Sequence, residues 1–297
     1  MAWLLIGLSV SLCWLASLCK VYYSSHSSSR TAFFSNDASC LYFSLAMFLF
    51  FFVFLCFLFW SIFLVVPFLT LCMSLSAESK QKRNILLVIA HPDDESMFFS
   101  PTISYLTSKG HNLYVLCIST GNADGMGNTR KEELYQACAI LKVPLHQIKV
   151  LDNPKLQDGF GKVWDHDLLA KIVEEEVASG TIDSILTFDS YGISGHCNHK
   201  DVHHGVRRFL NMSRRKVEAW ELLSTNILRK YSGPVDIWFS IVYSMCWPSG
   251  QVHCLLNDDP SKSFQAMAQH MSQWVWFRKL FVSFSSYTYV NTLKRIA

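Results

Sequence analysis

One imidazole and three carboxylates follow a short apolar run of the chain and could together hold a metal ion. They are His91, Asp93, Asp94 and Glu95. The run at residues 85–90 predicts a buried strand, and Pro92 prevents that strand from continuing in the middle of a sheet. Burying several carboxylates together costs free energy unless a cation or a network of donors compensates them. The segment therefore predicts a metal site, with a solvated acidic turn as the alternative.

A second polar segment follows another predicted strand, at residues 182–188. It contains His196 and His199, whose spacing would place both imidazoles on one side of a helical turn. The ends of two strands can meet at the topological switch point of a doubly wound sheet, which would bring His91, Asp94 and His199 together. Two histidines and one carboxylate, with a fourth position open to water, are the ligand set of a catalytic zinc site.

Neighbouring polar residues have simpler explanations. Cys197 has no second thiol at a spacing typical of structural zinc sites, and we expect it to act as a small filler. Asp189 either orients a ligand imidazole or is an ordinary loop carboxylate. Glu95 is expected to cap the next helix, where a carboxylate interacts favourably with the helix dipole. His203 and His204 are expected to lie on the surface.

Strands and helices that follow Lys82 must position these residues. Strands are predicted at residues 85–90, 112–119, 148–151 and 182–188. Helices are predicted at residues 96–109, 129–142 and 165–178. Thr129 and Glu132 would form a capping box at the start of the second helix. This alternation is typical of an α/β fold with a doubly wound, mostly parallel sheet. Further along, residues 237–245 are β-prone and residues 263–281 could form a helix.

Together, the motifs of this chain resemble the N-acetylglucosaminyl-phosphatidylinositol de-N-acetylase family, whose bacterial relatives deacetylate amino-sugar conjugates. The resemblance extends from Ile85 to about Arg278. It rests on Ala90-His-Pro-Asp-Asp-Glu95, on Arg130 with Glu133, on Ser194-Gly-His-Cys-Asn-His199 and on His270-Met-Ser-Gln273. It implies a Rossmann-like fold and a divalent metal cofactor, usually zinc. Bacterial members often carry Pro-Asp where this chain has Cys197-Asn198, but these intervening residues need not bind the metal.

The resemblance also implies a role for each site residue. His91, Asp94 and His199 would be the metal ligands. Asp93 would be the general base, and His196 would polarise or protonate at the reacting centre. Because the amine must leave protonated, either Asp93 or His196 has to return a proton to it.

Arg130 is a candidate for substrate binding. Its planar guanidinium suits two oxygens of the substrate phosphodiester. A salt bridge to Glu133, on the same predicted helix, is the alternative.

The activity that the resemblance implies is an early step in the synthesis of glycosylphosphatidylinositol (GPI) anchors. The enzyme would hydrolyse the acetamide of N-acetylglucosaminyl-phosphatidylinositol, releasing glucosaminyl-phosphatidylinositol and acetate. One alternative is a membrane-tethered zinc amidohydrolase that deacetylates a different amino-sugar conjugate. A non-catalytic scaffold is a further alternative, but all five presumed active-site residues are present together.

The N-terminal part of the chain is strongly apolar. No Asp, Glu, Lys or Arg lies between Asp37 and Glu78, and residues 41–75 are long enough for one transmembrane helix, since about 20 apolar residues span a bilayer. Residues 2–19 are also apolar and could be a signal peptide, a second span or a membrane-surface helix. We expect residues 1–78 to anchor the protein in a membrane.

Residues 79–297 are expected to form the catalytic domain. Lys80, Lys82 and Arg83 follow the long apolar run, so the positive-inside tendency places this domain in the cytosol. With the family resemblance, this predicts an endoplasmic reticulum membrane protein.

Charge and cysteine content restrict the partners and the compartment. The net charge is +3, and no basic stripe is interleaved with aromatic residues, which argues against nucleic acid. The predicted partners are the glycolipid substrate and the membrane. The cysteines after residue 80 have no framework spacing, which favours reduced thiols in a cytosolic domain.

Overall fold

The structure is a computed structural model that describes residues 81–159 and 161–296. The apolar segments at 2–19 and 41–75 lie outside the described residues, so the anchor and its domain boundary stay predictions. Within the described part of the chain, no helix combines the length and apolar character that crossing a membrane requires.

In the described part of the chain, seven strands form one mixed sheet. In chain order they are β1 (Asn84–Ile89), β2 (Asn112–Cys117), β3 (Ile148–Val150), β4 (Ser184–Phe188), β5 (Glu218–Leu222), β6 (Val252–Leu256) and β7 (Val290–Arg295). Their order across the sheet is β3-β2-β1-β4-β5-β7-β6. The pairings among β1 to β5 are parallel, whereas β7 runs antiparallel to both β5 and β6. The predicted α/β fold with a doubly wound, mostly parallel sheet is confirmed.

Helices connect and cover the strands. They are α1 (Asp94–Met97), α2 (Ser100–Ser108), α3 (Gly127–Ile140), α4 (His166–Ser179), α5 (Gly192–Gly195), α6 (Cys197–Met212), α7 (Ile227–Lys230), α8 (Asp236–Met245), α9 (Pro260–Gln269) and α10 (Trp276–Phe284). The apolar side chains of β1 and β4 are buried among them, because parallel strands are covered on both faces.

The direction of the sheet order reverses beside β1. The chain runs outward from β1 through β2 to β3, and then returns to the other side of β1 with β4 and β5. In an open parallel sheet, this reversal leaves a crevice at the carboxyl ends of the two central strands. Both polar segments singled out in the sequence leave the sheet at this crevice.

Two predicted helices begin differently in the structure. The helix predicted at 96–109 is divided into α1 and α2. Phe98 and Phe99, which lie between the two, are buried in the core, and Pro101 lies in the first turn of α2, where proline is favoured. The predicted capping box at Thr129 is wrong. The helix already begins at Gly127, where the side chain of Asn122 accepts the N–H of Gly127 at 2.9 Å.

Residues 237–245 are helical and not extended, so β propensity is a poor guide there. Asp236, Ser240 and Ile241 are the buried residues of α8, a spacing that only a helix places on one side. The helix predicted at 263–281 is interrupted by a segment that begins at His270, whose side chain enters the core. The antiparallel strands β6 and β7 were not predicted.

Candidate active site

The carboxyl ends of β1 and β4 bring the two polar segments together. Asp93 lies in the turn after β1, Asp94 begins α1, and His199 lies on the first turn of α6, after β4 and α5. The predicted meeting at the switch point is confirmed by a distance of 3.1 Å between Nε2 of His199 and Oδ1 of Asp94.

Two hydrogen-bond acceptors face each other at this contact. Nδ1 of His199 lies 3.1 Å from the carbonyl oxygen of Gly192, which only accepts, so Nδ1 carries the proton. In the neutral ring, Nε2 therefore presents a lone pair to the carboxylate of Asp94. A cation must lie between two such acceptors: either a proton, which makes His199 an imidazolium, or a metal ion. The donor set fits a metal.

His91 is arranged in the same way. Its Nε2 lies 3.1 Å from Oδ1 of Asp158 and 3.3 Å from Oδ1 of Asn198, while its Nδ1 lies 3.8 Å from Oδ2 of Asp94. Metal-binding histidines usually donate their second ring N–H to a carboxylate or carbonyl, which fixes the tautomer and the ring orientation. His91 and His199 both meet this condition.

His196 joins the same cluster. Among the described residues, His91, His196 and His199 each offer a ring nitrogen, and these atoms lie within 4.8 Å of one another. The ring centroid of His196 lies 5.0 Å from that of His91 and 4.9 Å from that of His199. Asp94 and His196 thus both lie close enough to complete a site built on His91 and His199.

The loop that supports His199 depends on a glycine and on Asp189. A Cβ at Gly192 would lie 2.8 Å from the Cβ of His199, so only glycine allows this close approach. Asp189 accepts hydrogen bonds from the backbone N–H groups of Tyr191 and Gly192, and from both N–H and Oγ of Ser224. Asp189 therefore acts on the site through its loop.

Asp93 combines a buried carboxylate with a strained backbone. Its φ is 124°, a value that costs free energy for a residue with a side chain. Its Oδ2 lies 3.2 Å from Nη1 of Arg278 and 3.4 Å from Nη2 of Arg130. Burial raises the pKa of Asp93, and the positive charges of Arg278 and Arg130 lower it; the net effect is a raised pKa.

Arg130 is held by the backbone of the site. Its guanidinium donates to the carbonyl oxygens of Gly121 at 2.9 Å and Pro92 at 2.8 Å. Glu133 instead accepts from the N–H and Oγ of Ser272, at 2.7 and 2.6 Å. Glu133 therefore does not form the salt bridge with Arg130 that was the alternative to substrate binding.

Glu95 forms a fully buried pair with His270. Its Oε1 lies 2.6 Å from Nε2 of His270, and both side chains are 0% exposed. Its Oε2 accepts the backbone N–H of Asp93 at 3.1 Å, so Glu95 does bind the start of α1 as a cap would. Burial lowers the pKa of His270, but the charge and hydrogen bond of Glu95 outweigh it and raise that pKa.

Charges around the cluster set the protonation states of its members. Burial and the positive charges of His199 and His91 lower the pKa of His196 to about 4. Burial raises the pKa of Asp94, but His199 and His91 outweigh it and hold that pKa below its ordinary value. Burial lowers the pKa of His91, and hydrogen bonding to Asp158 with the nearby carboxylates raises it above normal.

The cluster opens into a cavity of about 180 Å³. Met97, Phe98, Ser194 and Arg278 line it together with the residues already described. The cavity is therefore polar at its base and partly apolar at its wall.

Several site residues were not found from the sequence. Asp158 lies in the loop after β3, and its position beyond the carboxyl end of a strand was the available signal. Asn198 was regarded as an intervening residue, and Arg278 appeared only as the approximate end of the family resemblance. His203 was expected on the surface, but it is 1% exposed and its Nδ1 lies 3.0 Å from the carbonyl oxygen of Phe188. His203 is buried because it lies one turn after His199 on the inward side of α6.

Comparisons with known proteins show which family the chain is similar to. Residues 86–210 match the family described as PIG-L, GlcNAc-PI de-N-acetylase. The N-acetylglucosaminyl-phosphatidylinositol de-N-acetylase of Bos taurus is 36% identical over 70% of this chain and 81% of its own length. The enzyme of that name from Saccharomyces cerevisiae is 33% identical over 70% of this chain and 79% of its own length.

The fold is also similar to that of a solved structure. N,N'-diacetylchitobiose deacetylase from Pyrococcus horikoshii has a TM-score of 0.53 at 13% identity, over 73% of this chain and 85% of that chain. At this identity the likeness concerns the fold alone. On the sequence matches, the chain belongs to the N-acetylglucosaminyl-phosphatidylinositol de-N-acetylase family.

Proposed function

We propose that this protein hydrolyses the acetamide of N-acetylglucosaminyl-phosphatidylinositol to glucosaminyl-phosphatidylinositol and acetate, an early step of GPI-anchor synthesis. The observation that carries the proposal is the contact of His199 with Asp94, beside His91 and Asp93, at the switch point of the sheet. The family relationship supplies the substrate, since relatives over most of the chain are named for this reaction.

A divalent metal, in our proposal zinc, would be held by His91, Asp94 and His199, with His196 close enough to contribute. Nitrogen and carboxylate ligands of this kind suit zinc. When bound, such an ion polarises a carbonyl and lowers the pKa of a coordinated water to about 7.

Asp93 is the proposed general base that accepts the proton of the attacking water. Arg278 and Arg130 hold its carboxylate in place and favour the ionised form. Burial acts in the opposite direction and raises its pKa, which brings the carboxyl group closer to neutral pH as a proton acceptor. Once protonated, Asp93 can return the proton to the departing amine.

His196 is the proposed donor to the oxygen of the acetamide. With a pKa lowered to about 4, its ring is neutral at physiological pH and carries one N–H. A neutral imidazole stabilises a developing oxyanion by one hydrogen bond. Asp93, with its raised pKa, is then better suited than His196 to protonate the amine.

Arg130 stays the proposed contact for the substrate phosphodiester, and the structure adds Arg278 as a second candidate. Arg130 already donates to two carbonyl oxygens, and its side chain is only 8% exposed. Arg278 lines the cavity with its side chain 22% exposed, so it presents the more accessible cation to an anionic group.

We further propose that residues 41–75 anchor the protein in the endoplasmic reticulum membrane, with residues 79–297 in the cytosol. The apolar composition of the first segment and the cluster of Lys80, Lys82 and Arg83 after it support this topology. Accessibility of a tag at the C terminus to protease in intact microsomes tests the orientation.

The substrate assignment is tested by offering purified protein three acetylated sugars and measuring the deacetylated products by mass spectrometry. These are N-acetylglucosaminyl-phosphatidylinositol, its lipid-free glycan and N,N'-diacetylchitobiose. We expect glucosaminyl-phosphatidylinositol as the main product. Preferred turnover of diacetylchitobiose would contradict the assignment and favour a different amino-sugar conjugate.

A further inference from the structure

Helix α10 exposes four large apolar side chains on one side. Trp276, Phe277, Leu280 and Phe284 lie on one side of the helix and are between 49% and 72% exposed. Single exposed apolar residues are common on protein surfaces, but large apolar side chains grouped on one side of a helix mark an interaction site. Trp, Phe and Leu are the residues that amphipathic helices place in a membrane interface.

The inward side of the same helix belongs to the active site. Arg278 contacts the carboxylate of Asp93 at 3.2 Å. The ring of Phe281 packs edge-on against Phe98, with centroids 5.6 Å apart, and Phe98 lines the cavity. One helix therefore faces the reacting centre on one side and the solvent, with its aromatic residues, on the other.

A second exposed apolar segment adjoins α10. Ile227, Leu228, Tyr231 and Val235 are between 52% and 82% exposed. The ring of Tyr231 lies edge-on to Phe281, with centroids 6.1 Å apart. A Cβ at Gly233 would lie 3.6 Å from the carbonyl oxygen of Phe284, so the two segments approach closely. We call the exposed apolar residues at 227–235 and 276–284 the docking face.

The charged residues of both segments are all basic; Lys279 is exposed, and the other three are partly buried. Arg229, Lys230, Arg278 and Lys279 are their basic residues. No Asp or Glu occurs at 227–235 or 276–284, and Asp236, which follows directly, is 1% exposed and paired with Arg229 at 2.6 Å. A surface that combines apolar side chains with basic residues complements a bilayer that contains anionic headgroups.

We propose that the docking face lies on the surface of a membrane that contains anionic phospholipid and holds the opening of the cavity at the level of the lipid headgroups. This inference rests on the proposed function, because a phosphatidylinositol-linked sugar is presented at that level. A bilayer fits a face that has exposed Lys279, no acidic residue in either segment and a position beside the cavity. Nothing in the chemistry of a protein partner requires it to approach the cavity.

The first test compares two variants of the full chain, reconstituted in phosphatidylcholine vesicles with phosphatidylinositol. Leu280→Glu places a charge in the docking face. Leu145→Glu is the matched control, because Leu145 is 64% exposed and lies at the opposite, amino end of β3. Turnover is measured with N-acetylglucosaminyl-phosphatidylinositol in the vesicles and with lipid-free N-acetylglucosaminyl-inositol phosphate in solution.

We expect Leu280→Glu to lower turnover of the bilayer substrate about tenfold or more, the factor typical of one apolar side chain that no longer enters the interface. Turnover of the lipid-free substrate, and both activities of Leu145→Glu, should stay within about twofold of the wild type, as is usual for surface substitutions. Equal loss on both substrates, or no loss on either, would overturn the proposal. A dimer of the wild type in detergent that Leu280→Glu dissociates would show that a second copy covers this face.

A direct measurement separates the docking face from the proposed function. Trp276 fluorescence is isolated as the difference between wild type and Trp276→Phe, in vesicles whose acyl chains carry bromine near the headgroup. Quenching of this difference signal is expected whether or not the glycolipid is a substrate. An unquenched Trp276 would refute docking even in an active enzyme, whereas quenching without turnover of either substrate would refute the proposed function alone.

Discussion

Asp93 is the residue where strain, burial and charge coincide. Its backbone has a φ of 124° and its N–H is bound by Glu95, while Arg130 and Arg278 hold its carboxylate. Strained residues persist only where the surroundings determine their conformation, and they cluster at active sites. The geometry of Asp93 is therefore the one expected of the proposed base, which must point away from the proposed metal ligand Asp94 directly beside it.

Arg278 makes the ionisation of Asp93 testable. Its positive charge lowers the pKa of Asp93, so Arg278→Gln should raise that pKa further. Because the base is active when ionised, the acid limb of the pH profile of kcat/KM should move to higher pH. Lys279→Gln, the neighbouring exposed cation, is the control and should leave the limb in place. An unmoved acid limb in Arg278→Gln would contradict the assignment of Asp93 as the base.

Substitution of His199 tests whether this residue is a ligand of the proposed metal. His199→Ala should abolish turnover and lower the affinity for zinc by at least about 100-fold. Losing a residue that only hydrogen-bonds to a metal ligand already costs up to about 100-fold, and losing a ligand should cost more. His204→Ala is the matched control, because His204 is an exposed histidine on the same helix. The metal content of the purified proteins is measured by mass spectrometry. Full zinc content in His199→Ala would remove His199 from the ligand set.

At the scale of elements, the segment between α9 and α10 connects the C-terminal part of the chain to the turn after β1. His270 pairs with Glu95, and Ser272 pairs with Glu133. These contacts join residues far apart in the chain, and Glu95 in turn holds the N–H of Asp93. The segment interrupts what would otherwise be one long helix because its polar side chains point inward.

Removing His270 should destabilise the protein by about 3–5 kcal/mol, because the buried carboxylate of Glu95 loses its partner. Since the pKa of His270 is raised in the folded state, its stabilisation is complete below its unfolded pKa of about 6.5 and is lost as the pH rises through the folded value. The difference in free energy of unfolding between wild type and His270→Gln should thus be larger near about pH 6 than near about pH 9.

Urea unfolding followed by fluorescence measures both differences, and exposed His146→Gln is the control. A difference that grows with pH would contradict a charged His270.

For the whole molecule, the parallel strands β1 to β4 and the meeting of the two polar segments could be predicted from the sequence, whereas the parallel strand β5 was not. β1 and β4 are short buried runs, each followed by a polar segment, so the strand pattern and the site signal coincide in the segments that hold His91 and His199. Strands β5, β6 and β7 carry no such signal, and the β-prone residues 237–245 belong to α8, whose buried residues have a helical spacing.

The incomplete prediction of the site has a related cause. His91 and Asp94 lie directly after β1, and His199 lies at the start of α6, in the polar segment that follows β4. Asp158 and Arg278 reach the cluster from a loop and from a C-terminal helix, through contacts that only tertiary packing creates. No local pattern distinguishes Arg278 from a surface charge, and the signal for Asp158 is limited to its place beyond the carboxyl end of β3.

The central claim is tested most directly by release of acetate from N-acetylglucosaminyl-phosphatidylinositol by membranes that contain the protein, with and without a metal chelator. Asp93→Asn is measured beside the wild type, and Asp258→Asn, at an exposed aspartate, serves as the control. We predict release that the chelator abolishes, that zinc restores and that Asp93→Asn lowers by about 100-fold or more with its metal retained. Undiminished release in Asp93→Asn, or release that withstands the chelator, would contradict the account.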